Sequence, residues 1–241
     1  MKNDAVHDGI QAEGFNIIRP FGPSIYHSTM NENMMDCLKQ IAEDSYRDGE
    51  DFTTKLAGNI DKEVLWATGS AVKEIFREEL TPHLKNFVDW DRRRYASHLL
   101  NKDEYEQVAY TEEKEFKFEF NVEPWLNYQK ANEFNPTHAH GGLMSSVLYI
   151  DVPECIAEEG KNSKSNMACA GQIEFVFGSD SLGSNGTHKI IPKTGDILLF
   201  HAQLKHCVWP FQSDVTRTSM SFNIGNIQSS KPIPIAGNPN P

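Results

Sequence analysis

The sequence predicts a mainly β fold, a sandwich or barrel, that follows a helical N-terminal region. From about Glu115 the hydrophobic pattern takes a period of two. In KEFKFEF, Phe116, Phe118 and Phe120 alternate with charged residues, which is typical of a strand with one buried face. Several short strand-like runs follow, punctuated by Gly, Pro, Asn and Ser. A double-sheet jelly roll is one standard fold for strands of this number and spacing.

The N-terminal region carries helical periodicity instead. Apolar residues recur at helical spacing between residues 31 and 48, and Asn31 or Asn33 is expected to cap this helix. A second helix is predicted over residues 70–87, and Pro82 is expected to interrupt or kink it. Before both helices, the segment GFNIIRP predicts a short strand.

The β region predicts a series of strands, expected at residues 125–131, 144–151, 171–177, 188–191, 196–201 and 216–225. The polar stretch 153–170 predicts a long, mobile loop over a site. We therefore expect a helical region at 1–110 that packs on the barrel, a β core at 111–228 and an extended, proline-rich tail at 229–241.

The 241-residue chain is acidic, with a formal net charge of −11. Residues 1–120 contribute −9, so the acidity belongs mainly to the N-terminal half. This charge argues against nucleic acid or an anionic membrane as a partner, because both bind clustered Lys and Arg. The sequence shows no signal-like or membrane-length apolar run and no C-x-x-C pair. We therefore expect a cytoplasmic protein with four free thiols.

Two histidines in the segment NPTHAHGG indicate a metal site. His138 and His140 are two residues apart, and such positions share one face of a strand, so both imidazoles can reach one ion. His206 follows the strand GDILLFHA by a short turn and can complete a facial set of three from a neighbouring strand. His201 is the main alternative as third ligand, although its apolar strand favours a hydrogen-bonded structural role.

The segment TRTSMSFNI places Arg217, Ser219 and Ser221 on one face of a predicted strand. An arginine inside a jelly roll is costly unless a carboxylate meets it. Its planar guanidinium suits bidentate capture of a carboxylate, and Ser219 can add a hydrogen bond. The alternative is a surface arginine paired with Asp214 or Glu174.

Together these motifs resemble the Fe(II)- and 2-oxoglutarate-dependent dioxygenases, most closely a bacterial and phage branch. Its signature W-x-N…H-x-H…H-x-V…R-x-S-x-S-F-N reads WLNYQ, THAHGG, LKHCVWP and RTSMSFNI in this chain. The resemblance covers residues 125–224. It implies a double-stranded β-helix, the cupin-like jelly roll, and a hydroxylase that uses Fe(II) and dioxygen. Such an enzyme couples decarboxylation of 2-oxoglutarate to succinate with oxidation of a substrate, which the sequence does not identify.

The resemblance also implies roles for individual residues. His138 and His206 would bind iron, and Arg217 and Ser219 would hold the distal carboxylate of 2-oxoglutarate. Tyr128 and Tyr149 would contact the same co-substrate; the alternative for both tyrosines is an aromatic residue of the core.

One position departs from the family pattern, because His140 stands where the family has a carboxylate ligand. A three-histidine iron site is the favoured interpretation; alternatively, His140 is not a ligand and water takes its place.

Two other functions remain open. One is a three-histidine, cupin-like dioxygenase independent of 2-oxoglutarate, whose H-x-H usually precedes a glutamate that residues 141–146 lack. The other is a non-catalytic jelly-roll binding module. The oligomeric state is not indicated.

Overall fold

The computed structural model describes residues 11–12, 14–18, 22–99, 113–180, 182 and 185–231, and only the backbone of residues 11–12 and 94–99. The helices are α1 (Glu32–Asp48), α2 (Ser70–Leu99) and α3 (Glu154–Lys161), with a 3₁₀ turn at Thr53–Lys55. The strands, in chain order, are β1 (Gln11–Ala12), β2 (Phe15–Ile18), β3 (Ile25–Thr29), β4 (Glu63–Leu65), β5 (Phe116–Phe120), β6 (Trp125–Gln129), β7 (Asn135–His138), β8 (Met144–Asp151), β9 (Ile173–Val176), β10 (Thr187–Ile190), β11 (Asp196–His201), β12 (Lys205–Val208) and β13 (Arg217–Ser229).

The strands form two antiparallel sheets. The large sheet has the order β1-β2-β3-β11-β8-β13-β6-β4, with β5 added to β13, and the small sheet has the order β10-β9-β12-β7. Strands distant in sequence lie side by side in both sheets, as in a jelly roll. The mainly β, jelly-roll fold predicted from the sequence is confirmed.

Helices α1 and α2 cover the outer face of the large sheet. Asn31 caps α1 as predicted, since its side-chain oxygen accepts a hydrogen bond from the Met34 amide at 2.8 Å. Buried residues of both helices, such as Leu38 and Phe76, pack in one cluster with outward-facing residues of the sheet, such as Leu148 and Phe222. These contacts fix the large sheet to a helical layer.

The inner face of the large sheet packs against the small sheet. Strand β8 shows the alternation: Leu148 points to the helices, whereas Val147 and Tyr149 point into the second cluster between the sheets. Ile173 and Phe175 of β9 meet them from the small sheet. Side chains at alternate positions of the central strands therefore line the interior of the jelly roll.

Of the two predicted effects of Pro82, an interruption of α2 is not observed, because the helix runs through Pro82 to Leu99. Phe76, Leu80, Leu84 and Phe87 are fully buried on the two sides of the proline. Burial of each such side chain contributes ~1.5–3 kcal/mol. Four of them outweigh the cost of an internal proline, about 3 kcal/mol.

The N-terminal region is not purely helical, because it also supplies β1–β4. Strands β1–β3 extend one end of the large sheet, and β4 forms its other edge beside β6. Of these four strands only β2 was predicted, since strands of two to five residues are too short to show a clear period. The predicted tail lies outside the described residues beyond residue 231.

The stretch 153–170 is not wholly a loop, because α3 occupies part of it. The side chain of Ile156 is buried, and the Glu159 carboxylate accepts hydrogen bonds from the amides of Gln212 and Ser213 at 2.9 Å. These contacts attach α3 to the turn that precedes β13. Among the described residues, no helix is both long and apolar enough to span a membrane.

Candidate active site

Three histidines converge in the interior between the two sheets. His138 ends β7, His206 lies on β12 directly opposite it, and His140 follows two residues later. The ring centroid of His138 lies 4.4 Å from that of His206 and 4.7 Å from that of His140. One ring nitrogen of each histidine lies within 4.8 Å of the others. The residues predicted to form a metal site are therefore brought together.

Backbone contacts orient these rings. The His138 Nδ1 lies 2.7 Å from the Pro136 carbonyl oxygen, and the His206 Nδ1 lies 3.0 Å from the Leu204 carbonyl oxygen. A carbonyl only accepts, so each Nδ1 carries the proton and each Nε2 keeps a free lone pair. This arrangement is typical of histidines that bind metal through Nε2. The amide of His140 donates to a carbonyl of the turn after β11, at 2.8 Å.

Burial keeps all three imidazoles neutral. Loss of hydration lowers the pKa of His138, and it lowers the pKa of His140 to about 4 and that of His206 to about 3, with the neighbouring imidazoles adding to the effect. Neutral imidazole is the form that coordinates a metal. The site is therefore in its ligating state across the physiological pH range.

Arg217 and the three histidines line one pocket between the sheets. The side chain of Arg217 is buried, with 3% of the residue exposed. Its Nη1 donates to the Gly171 carbonyl at 2.6 Å, and its Nη2 donates to the Gln129 side-chain oxygen. Its Nε has no hydrogen-bond partner in the described part of the chain, and no described carboxylate forms an ion pair with it. Burial lowers its pKa. Glu174 instead accepts from the Trp209 indole at 2.7 Å, so the surface-pair interpretation of Arg217 does not hold.

A row of paired polar residues crosses the large sheet next to Arg217. Ser219 is paired with Asn127 on one side and with Tyr149 on the other, and all three line the pocket. The Tyr149 hydroxyl has no hydrogen-bond partner among the described residues, and burial raises its pKa to about 12. The Arg217 guanidinium carbon lies 5.4 Å from the centroid of the Tyr149 ring. Ser219 and Tyr149 thus lie beside Arg217 in the pocket.

Tyr128 does not reach this pocket, so its predicted contact with the co-substrate is corrected. Side chains alternate along β6: Asn127 points inward, whereas Tyr128 points to the helical layer. The Tyr128 hydroxyl donates to the Ala42 carbonyl of α1 at 2.6 Å. Its role in this position is to attach α1 to the sheet.

His201 also faces the helices and is not part of the histidine group. Its Nε2 lies 2.7 Å from the Asp91 carboxylate of α2, and its ring packs against Phe87. The structural role that the apolar strand favoured is the one observed.

Sequence reasoning missed Glu63, which lies in the same pocket. This residue on β4 is 0% exposed, and neither carboxylate oxygen has a hydrogen-bond partner in the described part of the chain. It extends the polar row, because it is paired with Asn127. In the sequence, Glu63 is only a charged residue before the apolar run VLW. A strand of three residues is too short to show an alternating pattern that would place its side chain inside.

Comparisons with known proteins show what this part of the chain is similar to. Residues 123–223 match the family model described as "Putative 2OG-Fe(II) oxygenase". No curated protein matches the sequence. The matched segment contains the three histidines, Arg217 and Ser219.

Solved structures with a similar chain path include three oxygenases or related proteins. A Pseudomonas putida prolyl-4-hydroxylase is 11% identical, with a TM-score of 0.44, over 83% of this chain and 91% of that one. A Trichoplax adhaerens prolyl hydroxylase, solved with a peptide of hypoxia inducible factor, is 12% identical, with a TM-score of 0.47, over 89% and 84%. AviO1 from Streptomyces viridochromogenes is 15% identical, with a TM-score of 0.48, over 92% and 93%.

These structural similarities are too distant to bear on the reaction. The family match, in contrast, agrees with the motifs read from the sequence. That family uses Fe(II), 2-oxoglutarate and dioxygen, and the three histidines fit the metal. Residues 123–223 of this chain are thus similar to a family of 2OG-Fe(II) oxygenases, over somewhat less than half of the chain.

Proposed function

We propose that this protein is an Fe(II)- and 2-oxoglutarate-dependent hydroxylase in which His138, His140 and His206 bind the iron. Arg217, Ser219 and Tyr149 bind 2-oxoglutarate. One observation carries the proposal: a buried arginine without a carboxylate partner among the described residues shares a pocket with three converging, neutral histidines.

The donor set suits ferrous iron. Imidazole is a ligand that iron accepts, and a facial set of three protein ligands leaves positions open for co-substrate and dioxygen. Because all three ligands are neutral, the site keeps the full charge of the ion, which favours a dianionic co-substrate. If His140 is not a ligand, His138 and His206 hold the ion and water takes the third position.

The arginine suits a dicarboxylate. Burying an uncompensated guanidinium is costly, and a bidentate carboxylate is the partner that best offsets this cost. The Nε of Arg217 and the hydroxyl of Tyr149 are donors without a partner among the described residues, both residues line the pocket, and Ser219 adds a third donor. These groups would orient the distal carboxylate, leaving the 2-oxo acid end for the metal.

Bound iron would supply the activation of dioxygen that couples decarboxylation of 2-oxoglutarate to oxidation of a substrate C–H bond. The chain provides the surroundings. Val147, Ile173 and Phe200 line the pocket with apolar surface and exclude water, while the histidines and the arginine fix the orientation of the groups they hold. We also propose that the protein is cytoplasmic, because all four cysteines are free, as is usual in a reducing compartment.

A spectroscopic titration tests the proposal. Anaerobic addition of 2-oxoglutarate to the Fe(II) protein should produce a visible charge-transfer band, and Arg217→Met should greatly weaken the binding that generates it. A protein that binds iron but gives no band would instead be the dioxygenase independent of 2-oxoglutarate. A protein that binds no iron after reconstitution would be the non-catalytic binding module.

A further inference from the structure

The pocket contains an acidic group that the proposed reaction does not use. Glu63 is fully buried, lines the pocket, and has no hydrogen-bond partner for either oxygen among the described residues. It is not one of the described groups whose atoms converge on the metal position. A buried carboxylate without a partner is costly, so its presence calls for a ligand group that offsets the cost.

The electrostatic surroundings of Glu63 are acidic. Burial, followed by the charges of Glu133 and Asp51, raises its pKa to about 7. Within the described residues no lysine or arginine forms an ion pair with it. No described residue therefore supplies the counter-charge that this carboxylate needs when it is ionised.

Glu63 lies away from the arginine end of the pocket. Glu63, Asn127 and Ser219 follow one another on three adjacent strands, which places Glu63 about 10 Å from Ser219 in the sheet. The dianionic co-substrate fits the Arg217 end and would be repelled by Glu63. The Glu63 end is thus left for the molecule that is oxidised.

Two further features describe that end. The Asn135 side-chain oxygen also lines the pocket without a partner in the described structure. Asn135 follows Phe134, whose backbone pairs with Asn59 in the segment leading to β4. Leu56, Ala57 and Ile60 from the same segment line the pocket with apolar surface. The free polar atoms here are acceptors, and the wall around them is aliphatic.

We propose that Glu63 binds a cationic guanidinium or ammonium group, carried on an alkyl chain, of the substrate that this oxygenase oxidises. The inference rests on the proposed function for the reaction and on the Glu63 pocket for the substrate class. A guanidinium offers five N–H donors to the two carboxylate oxygens and the Asn135 oxygen. The aliphatic wall would contact the alkyl chain.

Glu63 would then be a specificity-determining residue, and Gly58 helps to accommodate its carboxylate. A Cβ at Gly58 would lie 3.2 and 3.3 Å from the two Glu63 oxygens. The absence of a side chain at this position leaves the carboxylate room to receive a ligand. A competing reading is that Glu63 is a protonated residue of the core that binds nothing, and the experiment distinguishes the two.

The experiment is a calorimetric titration of the anaerobic Fe(II)–2-oxoglutarate protein at pH 8 with n-butylguanidinium and with n-butylurea. The two probes have the same shape, but only the first is charged. We expect n-butylguanidinium to bind at least tenfold more tightly. Glu63→Gln should abolish this preference, Glu63→Asp should retain part of it, and the exposed control Glu119→Gln should leave it unchanged.

Equal binding of both probes by the wild-type protein, or an unchanged preference in Glu63→Gln, would overturn the inference. The charge-transfer band of 2-oxoglutarate reports on the proposed reaction separately. A band without a preference for n-butylguanidinium means that the substrate inference fails and the reaction stands. A preference without a band means that the cation site stands and the proposed reaction fails.

Discussion

His138 faces His206 directly across the β7–β12 pair, and their ring centroids are 4.4 Å apart. Two short strands of the small sheet thus provide the rigid half of the candidate metal site. His140 lies beyond the end of β7, and its backbone amide is held by the turn after β11. The third member of the group therefore depends on a turn, whereas the other two depend on strand pairing.

The iron ligands can be tested one at a time. We expect His138→Ala and His206→Ala each to weaken Fe(II) affinity by at least ~10-fold, because each removes one of three coordinating nitrogens. His140→Ala should have a comparable effect, and His140→Asp should retain iron, since it restores a carboxylate at that position. Iron content after anaerobic dialysis measures the effect. His27→Gln, a histidine paired with Asp196 away from the site, is the control. Full iron content in His140→Ala would mean that water occupies the third position.

Arg217 should control the affinity for 2-oxoglutarate and not that for iron. Removing a charge-assisted hydrogen-bonding partner costs ~1.5–3 kcal/mol, so Arg217→Met should raise the Kd for 2-oxoglutarate by about 10- to 150-fold. Titration of the charge-transfer band gives this Kd. Arg47→Met, an exposed arginine on α1, should leave it unchanged. An unaltered Kd in Arg217→Met would contradict the assignment.

Two tyrosines on opposite faces of the large sheet give a matched pair. Tyr149→Phe removes a pocket donor and should weaken 2-oxoglutarate binding several-fold, with little change in stability, because the hydroxyl has no described partner. Tyr128→Phe removes the bond to the Ala42 carbonyl and should lower the free energy of unfolding by about 1 kcal/mol without affecting the co-substrate. Band titration and urea denaturation separate the two effects, and the reverse pattern would refute the placement of Tyr149.

His201 should contribute to stability alone. His201→Ala leaves the Asp91 carboxylate buried without its partner, so the free energy of unfolding should fall by ~1–3 kcal/mol while the iron content stays unchanged. Urea denaturation and metal analysis of the same preparation measure both quantities. Loss of iron from His201→Ala in a folded protein would restore this residue as a candidate ligand.

Glu63 should make stability fall as the pH rises. Its pKa is about 7 in the folded protein against 4.5 in an exposed glutamate, so the folded state holds the proton more tightly. The stability that this tighter proton binding contributes is fully present below pH 4.5 and is lost as the pH rises through 7. Glu63→Gln does not titrate. Its free energy of unfolding relative to wild type should therefore increase by roughly 2–3 kcal/mol between pH 5 and 8.5.

Urea denaturation of both proteins at these two pH values measures the difference, in which the titration of all other groups cancels. A constant difference across the range would show that Glu63 is ionised in the folded protein even at low pH.

The sequence predicted the parts of the fold that have a strong period. Strands β8 and β11 have the predicted bounds, and β5 lies within the predicted segment KEFKFEF. Arg217, Ser219 and Ser221 share the pocket face as the alternation required. Strands β1, β3 and β4 of the N-terminal region were missed because they are held by pairing with other strands rather than by a local pattern. The second helix was predicted over residues 70–87, but its continuation to Leu99 was not predicted.

The candidate site was predictable to the extent that its residues lie in motifs. The three histidines follow the spacing of the family, and all of them converge. Tyr128 was misplaced because the resemblance alone implied its contact with the co-substrate, whereas the face of its strand decides where it points. Glu63 could not be predicted from the sequence. It stands out because its buried carboxylate has no hydrogen-bond partner among the described residues, and only the structure shows this.

The polar row Glu63–Asn127–Ser219–Tyr149 has a consequence for how the protein acquires its activity during synthesis. Its four members come from β4, β6, β13 and β8, so the pocket cannot close until β13 has left the ribosome and inserted between β6 and β8. A nascent chain that ends before residue 217 has the three histidines but neither Arg217 nor Ser219. Such a chain could hold metal without the anion site, and we expect co-substrate binding to begin only when the last strand of the sheet is in place.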